Sequence, residues 1–356
     1  MKAISYQFSA IDIKGDAMSK RFPFSAFPNG WFRVAYSDEL LPGEVKPLHY
    51  FGKDFILFRT EDSKPQVFDA HCPHLGAHLG YGGRVEGNTI RCPFHGWCFD
   101  QGGHCVQVPY TSKLPPKAQI RSLPVCEVNG LIMVYYHAQA EPPSWQMPEL
   151  PKWNLSDWTP FQRRFWKIRT HPQDMAENVM DTAHMLWLHG QSFRAIEETE
   201  FDIKDSVLVH RLRPKYRLSV FGKVGIDTEG AVEISCYGLG CQVSYTQVKT
   251  VIEFHSLALF LLTPIDEEFL DVHILVSTKN VLNKAITLAL RNKSMKEISH
   301  NLEQDIPIWE NKIYHHQPLL SEADGPIMQY RRWVQQFYSD VPGKSKKSLN
   351  ATYIPV

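Results

Sequence analysis

The sequence predicts an α+β protein of two domains, and three observations lead to that class. From Trp31 to about Tyr136, short runs rich in Val, Ile, Phe and Tyr alternate with Gly, Pro and Asp clusters, as in a small all-β domain. A Pro-rich stretch from Glu141 to Trp153 then indicates a stiff crossing between domains. Beyond it, helical patterns flank a block of strands, which predicts an antiparallel sheet with helices.

The strands of the first domain follow from their β-branched and aromatic residues, since these side chains fit a pleated, half-buried surface. Gly, Pro, Asp and Asn bound each run and predict the turns between them. The predicted strands are Trp31–Tyr36, Phe55–Arg59, Gln66–Asp69, Thr89–Arg91 and Leu131–Tyr136.

The second domain is predicted as helix, sheet and helix. His171 to Gly190 has a helical pattern in which Gly190 is the stop signal. Residues 201–280 return to strands, and within them Leu270–Ser277 alternates apolar with polar residues, the period of a half-buried strand. From Val281 to about His315, apolar residues three to four positions apart predict a second helix.

Composition and charge exclude several classes of protein. Lys plus Arg and Asp plus Glu each number 38 in 356 residues, so the chain lacks the basic footprint of a nucleic-acid-binding protein. A hydrophobic content of 43% with 21% charged residues is typical of a globular protein rather than a disordered one. The most apolar run, Leu257 to Ile265, is about half the ~20 residues of a membrane-spanning helix.

The cysteines and the N-terminus predict a cytoplasmic protein with reduced thiols. Seven cysteines are an odd number in a long chain, which argues against a disulfide scaffold and favours thiols of which some bind metal. No continuous apolar region precedes the first charges of the chain, so no secretory signal or membrane anchor is expected.

Two short motifs offer a mixed set of metal ligands. Cys72-Pro-His74 is followed after seventeen residues by Cys92-Pro-Phe-His95. A structural zinc site also takes two cysteines and two histidines, but zinc loops usually pair like with like. One thiolate and one imidazole from each loop suit two irons instead, with the thiolates on one iron and the imidazoles on the other. This is the ligand set of a Rieske [2Fe–2S] cluster.

A second set of candidate ligands lies in the predicted helix after the crossing. His184 and His189 are five residues apart, so on an undistorted helix they point about 140° away from each other. They converge only if the helix ends or distorts between them. Asp181 lies on the same face as His184. On these residues alone, a helix with two incidental histidines remains an alternative.

Together, the two motifs resemble the catalytic subunits of Rieske non-haem iron oxygenases. The second one reads Asn-x-x-Asp-x-x-His-x4-His, about ninety residues after the first. The resemblance implies a Rieske [2Fe–2S] domain and a helix-grip, START-like catalytic domain that binds mononuclear iron. The domain boundaries expected are an N-terminal extension over 1–28, the Rieske domain over 29–140, the crossing over 141–160, the catalytic domain over 161–340 and a tail over 341–356.

The resemblance also implies roles for the ligand candidates. His184 and His189 correspond to the histidines of the family's 2-His-1-carboxylate triad, which leaves positions open for O₂. Asp181 corresponds to an aspartate that links a Rieske histidine to an iron-ligand histidine through hydrogen bonds. The carboxylate ligand is expected at Asp305, although this residue two positions before a proline is also a candidate helix N-cap. Glu303 and Glu310 are the other candidates for the carboxylate.

The end of the chain resembles one branch of the family. Asp324 to Tyr338 is similar to the closing segment of ketosteroid hydroxylase oxygenases and cholesterol desaturases, as is the EQDIPIWENK stretch around Asp305. That likeness implies O₂-dependent hydroxylation or desaturation of a bulky hydrophobic ring compound, such as a steroid or sterol. It also implies electrons from NAD(P)H through a ferredoxin or its reductase, and a homotrimer. An aromatic or arylamine substrate, and a Rieske electron carrier with a ligand-binding domain, are the alternatives.

Overall fold

The structure is a computed structural model that describes residues 21–153, 155–190, 193–220, 224–249 and 253–339. Predictions made for the first twenty residues of the chain, and for its tail, lie outside the described residues.

The first domain consists of three small antiparallel sheets. Their orders are β1-β11-β10, β2-β3-β4-β9 and β5-β6-β7-β8. The predicted strand regions are confirmed within one or two residues. The strands are β1 (Gly30–Tyr36), β2 (Val45–Tyr50), β3 (Lys53–Arg59), β4 (Pro65–Asp69), β5 (Arg84–Glu86), β6 (Thr89–Arg91), β7 (Cys98–Phe99), β8 (Cys105–Gln107), β9 (Ser122–Leu123), β10 (Val125–Val128) and β11 (Leu131–Tyr136).

The second domain is a seven-stranded antiparallel sheet with helices, which confirms the α+β class. Its strand order is β12-β18-β17-β16-β15-β14-β13. The strands are β12 (Gln162–Ile168), β13 (Phe193–Lys204), β14 (Val207–Val220), β15 (Val224–Tyr237), β16 (Cys241–Lys249), β17 (Glu253–Pro264) and β18 (Leu270–Thr278). The helices are α1 (Pro172–Glu177), α2 (Thr182–Trp187), α3 (Lys284–Asn311) and α4 (Ile327–Val334). Among the described residues, no helix is both long and apolar enough to cross a membrane.

The long helix α3 packs one stripe of side chains against the sheet. Asn283 caps its start by accepting a hydrogen bond from the Ile286 N–H at 3.0 Å, which is the usual role of asparagine at this position. From Met295 to Trp309 the buried residues recur every three or four positions, so they share one face of the helix. The buried residues of α3 are Thr287, Met295, Ser299, Leu302, Asp305 and Trp309.

Strand β18 is only partly the half-buried strand that its alternation predicts. Asp271 and His273 alternate with buried apolar residues, but from Ile274 onward every residue is buried. The reason is that the first domain covers this face of the sheet, where Leu275 joins a core cluster with Trp31 and Met133. Burial on both faces removes the exposed positions that the alternation predicted.

The chain before β1 is tied to the second domain through the buried His171. This imidazole caps α1 by accepting from the Gln173 N–H at 3.1 Å, and its other nitrogen lies 3.1 Å from the Ser25 carbonyl oxygen. Burial lowers the pKa of His171 to about 3. The imidazole is therefore neutral in the folded protein at every pH above that value.

Because unfolding frees His171 to bind a proton, we expect acid to destabilise the protein through this residue. The pKa of His171 is lower in the folded than in the unfolded protein. Its contribution to the free energy of unfolding is therefore fully present above pH ~6.5 and is lost toward pH ~3, by up to about 1.4 kcal/mol per pH unit. His171→Asn keeps a capping acceptor and should flatten this dependence. Urea unfolding of the wild type and of His171→Asn between pH 4.5 and 7 measures this dependence. If the free energy of unfolding has the same pH slope in both proteins, the assignment is contradicted.

Candidate metal centres

The two Cys-x-His and Cys-x-x-His loops have the same backbone geometry. In each, the cysteine N–H donates to the carbonyl five residues later, at 2.9 Å for Cys72 and 2.8 Å for Cys92. The cysteine carbonyls accept from Gly76 and Gly96, whose φ angles are +76° and +73°. Glycine reaches this left-handed region without steric cost. Each loop therefore forms a tight turn that contains its cysteine and its histidine.

The two loops bring their histidines together. The rings of His74 and His95 have centroids 4.7 Å apart, and Trp97 stacks on His74 at 4.5 Å with an interplanar angle of 9°. The Nδ1 atoms of both histidines are buried and have no hydrogen-bond partner. An unpaired buried nitrogen is costly, whereas a metal ion would satisfy both.

The two thiols are equally isolated from water. The exposed fractions of Cys72 and Cys92 are 2% and 3%. Burial raises the pKa of Cys72 to about 12, and the neighbouring Cys92 raises it as well. A bound cation would hold the Cys72 thiol as a thiolate at neutral pH. The donors present, two thiols and two unpaired imidazole nitrogens, fit a Rieske [2Fe–2S] cluster.

The helix predicted from His171 to Gly190 is wrong as a continuous element. It is broken into α1 and α2 by a turn in which the Met180 N–H donates to the Glu177 carbonyl at 2.9 Å. Asp181 then adopts an extended conformation and caps α2 by accepting from the His184 N–H at 3.1 Å. Aspartate favours this capping position over a helix interior, so the break follows from the local sequence.

The end of α2 allows its two histidines to converge. The helix ends at Trp187, between His184 and His189, and the ring centroids are 5.3 Å apart at an interplanar angle of 81°. Convergence is therefore achieved in the way that the spacing demanded, by ending the helix between the two residues.

Asp305 completes this cluster from a distant part of the chain. Its Oδ2 lies 3.4 Å from Nε2 of His189, and the ligand atoms of His184, His189 and Asp305 all lie within 4.8 Å of one another. The N-cap alternative for Asp305 is wrong, because the residue lies inside α3. Glu303 is exposed, and Glu310 accepts from the backbone N–H of Arg169 at 3.4 Å.

Both ring nitrogens of His189 face oxygen atoms. Nδ1 lies 2.9 Å from the Gln304 Oε1, opposite the nitrogen that faces Asp305. Burial lowers the pKa of His189, but its contacts with Asp305 and Gln304 outweigh burial and leave the pKa raised. A ring between two acceptors needs a second proton or a bound cation. Two imidazoles and a carboxylate fit Fe(II) with open positions.

Asp181 lies beside this cluster and remains partly exposed. Its Oδ2 is 3.7 Å from the buried Nδ1 of His184, beyond hydrogen-bonding distance. Burial raises the pKa of Asp181, but the ring and backbone N–H of His184 stabilise the carboxylate more, so the pKa lies below its ordinary value. Within the described part of the single chain, no hydrogen bond joins Asp181 to His74 or His95.

Two contacts of the site were not predicted from the sequence. Gln304 touches His189, and the Trp309 Nε1–H donates to the Asn178 Oδ1 at 3.3 Å, which ties α3 to the turn before α2. The signal available for Gln304 was its place directly before Asp305.

A third group of ligand-type side chains lies on the surface of the first domain. Asp54, His71 and His78 have ligand atoms within 4.8 Å of one another. However, the Gly80 N–H already donates to Nδ1 of His78, and His49 holds the Asp54 carboxylate at 2.6 Å. Because Asp54 and His71 are exposed, and because Asp54 and His78 already have hydrogen-bond partners in the protein, we assign no metal there.

Two known protein families match separate parts of the chain. Residues 30–124 match the Rieske [2Fe-2S] domain. Residues 134–338, more than half of the chain, match the 3-ketosteroid 9alpha-hydroxylase C-terminal domain. The chain belongs to the Rieske non-haem iron oxygenases. The family resemblance noted from the two motifs is thereby confirmed, and so is the assignment of the protein as an enzyme of this class.

Relatives of this oxygenase include steroid-metabolising enzymes. The Xenopus laevis cholesterol 7-desaturase nvd is 31% identical, over 88% of this chain and 72% of that protein. The oxygenase component of 3-ketosteroid-9-alpha-monooxygenase from Rhodococcus rhodochrous is 27% identical, over 90% of this chain and 85% of that protein.

Solved structures of Rieske oxygenases share the fold. Dicamba monooxygenase bound to 3,6-dichlorosalicylic acid has a TM-score of 0.68 at 20% identity, covering 87% of this chain and 97% of that one. NdmB from Pseudomonas putida CBB5 has the same TM-score at 18% identity, covering 86% and 89%.

Proposed function

We propose that this oxygenase is the terminal component that hydroxylates or desaturates a bulky hydrophobic ring substrate, a steroid or sterol. The observation that carries the proposal is the cluster of half-buried His184 with buried His189 and Asp305, in the same chain as the paired Cys/His loops. The substrate class is supported by the relatives, which are named for cholesterol and ketosteroids.

Each ligand candidate has a stated role in this proposal. Cys72 and Cys92 hold one iron of the cluster and His74 and His95 the other, while His184, His189 and Asp305 hold the mononuclear iron. When bound, the [2Fe–2S] cluster supplies single electrons and Fe(II) supplies O₂ activation. The protein itself orients the ligands, and such groups would satisfy the unpaired buried Nδ1 atoms of His74 and His95 described above.

We propose that electrons come from NAD(P)H through a ferredoxin or its reductase. The Rhodococcus relative is named as an oxygenase component. In this chain Leu75 directly follows His74, and Phe94 directly precedes His95. Their side chains are 65% and 62% exposed. Exposed apolar side chains around a redox centre suit the approach of a protein partner. A cytoplasmic location is part of the same proposal and fits seven unpaired cysteines.

A homotrimer is also proposed. Asp181 is partly exposed and reaches neither cluster histidine within the chain, so a link between the two metal centres needs a second copy of the chain. Sedimentation equilibrium tests this directly, and a monomer as the active species would contradict it.

Two experiments test the function. Metal analysis of reconstituted protein should find about three irons per chain, whereas a pure Rieske carrier binds two. Mass spectrometry of products, with a surrogate reductase and panels of steroids, sterols, arylamines and other aromatic compounds, then identifies the substrate class. Turnover of arylamines or simple aromatics alone would replace the steroid proposal, and two irons without turnover would favour the carrier.

Asp181→Ala is expected to leave both metals bound but to slow electron transfer between the centres about 10- to 100-fold, since carboxylates that orient ligand histidines have effects of this size. Asp181→Asn keeps the cap of α2 and separates charge from helix stability. The measurement is the reoxidation rate of pre-reduced enzyme on mixing with substrate and O₂. Unchanged rates in both variants would exclude the bridge.

A further inference from the structure

Gln304 is a polar side chain of the mononuclear site without an assigned role. It precedes Asp305 on α3, and its Oε1 lies 2.9 Å from Nδ1 of His189. Adjacent helix residues point about 100° apart, and His189 is contacted by both of them. One segment of α3 therefore holds one imidazole through its two ring nitrogens.

His189 depends on such contacts more than a helical ligand would. It lies two residues beyond Trp187, where α2 ends, so no regular helix backbone sets the direction of its side chain. The ring is buried against His184, Gln304 and Asp305. The orientation of the His189 ring therefore depends on the groups that its two nitrogens contact.

The chemistry of an amide makes this contact directional. An amide oxygen only accepts hydrogen bonds, so Nδ1 of His189 carries a hydrogen, and the lone pair of Nε2 is the one that a bound cation would use. Nε2 is the nitrogen that faces Asp305, at 3.4 Å. The reversed amide would present N–H groups to Nδ1, move the ring hydrogen to Nε2 and block metal binding there.

We propose that Gln304 is a positioning residue that fixes the tautomer and orientation of His189, so that Nε2 is offered to a metal ion together with His184 and Asp305. This inference rests on the proposed function. The hydrogen bond from a ligand histidine to a fixed acceptor is the general means of holding such a ring. An uncharged acceptor does so without adding a second negative charge beside Asp305.

The test uses the full chain with its Rieske cluster, after removal of the mononuclear metal by dialysis against a chelator. Titration with Co²⁺, followed by its visible absorption, gives the dissociation constant. Gln304→Leu should bind about 10- to 100-fold more weakly, whereas Gln304→Glu restores an acceptor and should bind within a few fold of the wild type. Glu303→Gln, an exposed change on the same helix, is the control and should bind normally.

The outcomes separate this inference from the function. If the wild-type chain binds no Co²⁺ at this site, the proposed function fails. If it binds and Gln304→Leu binds equally well, or if Gln304→Glu is as weak as Gln304→Leu, the positioning role is overturned. Should Gln304→Leu not fold, as judged by its thermal unfolding without metal, Gln304→Met takes its place with the same expectations.

Discussion

Asp305→Ala is expected to abolish turnover and binding of the mononuclear iron while the visible absorption of the Rieske cluster persists. Asp305 is the only carboxylate among the described residues whose oxygen lies within 4.8 Å of the ligand atoms of both His184 and His189. Its removal leaves two imidazoles without an anionic ligand, and such a set holds a divalent cation less well than one that includes an anion. Iron content, Rieske absorption and product formation are the measurements.

Glu303→Ala is the matched control for this experiment. Glu303 lies two residues earlier on α3, but its side chain is exposed, so iron content and turnover should stay at the wild-type level. Retained turnover in Asp305→Ala would move the carboxylate to Glu303 or Glu310, and the alanine variants of those residues would then lose iron instead.

Arg33→Met is expected to lower the free energy of unfolding by about 3–5 kcal/mol, the usual effect of breaking a buried ion pair. Arg33 in β1 is 3% exposed and pairs at 2.5 Å with Asp271 in β18, on the other domain. Asp271 also accepts from the Tyr50 hydroxyl at 2.8 Å and lies 3.0 Å from Nε2 of His273. Without the guanidinium, the Asp271 carboxylate keeps its polar neighbours Tyr50 and His273 but loses its positively charged partner.

The control lies at the same domain boundary. Arg163 pairs with Asp38 at 2.9 Å, but its side chain is 37% exposed, so Arg163→Met should cost at most about 1 kcal/mol. Urea unfolding at pH 7 measures both variants. If Arg33→Met and Arg163→Met lose similar amounts of unfolding free energy, the burial of Arg33 is not what makes its ion pair important.

The Arg33 effect should also depend on pH. Burial raises the pKa of Asp271, but His273 and Arg33 stabilise the carboxylate more and leave the pKa below its ordinary value. The pair therefore stabilises the fold above the unfolded aspartate pKa of ~3.9 and loses its effect as pH falls through the lower folded value. The difference between wild type and Arg33→Met should shrink in acid; a constant difference would contradict this assignment.

Local patterns predicted the elements best where neighbours in the sequence decide the structure. Thr89–Arg91 and Leu131–Tyr136 are strands with the expected ends, because turn residues bound them on both sides. The prediction of one helix over His171 to Gly190 is wrong in its middle, because Asp181 prefers the capping position of a new helix to the interior of a continuous one. The burial of both faces of β18 beyond His273 could not be predicted from its alternation, which says nothing about a second domain.

Short sequence patterns were enough to predict which ligand groups are available. These are the thiols and imidazoles in two short loops, and two more imidazoles that converge only if a helix ends or distorts between them. These depend on residues a few positions apart, where backbone geometry leaves few choices. Two contacts could be found only in the folded chain: Gln304 holds the same ring as Asp305, and Arg33 meets Asp271 238 positions away. Such contacts follow from sheet register and the packing of α3, and no local pattern encodes them.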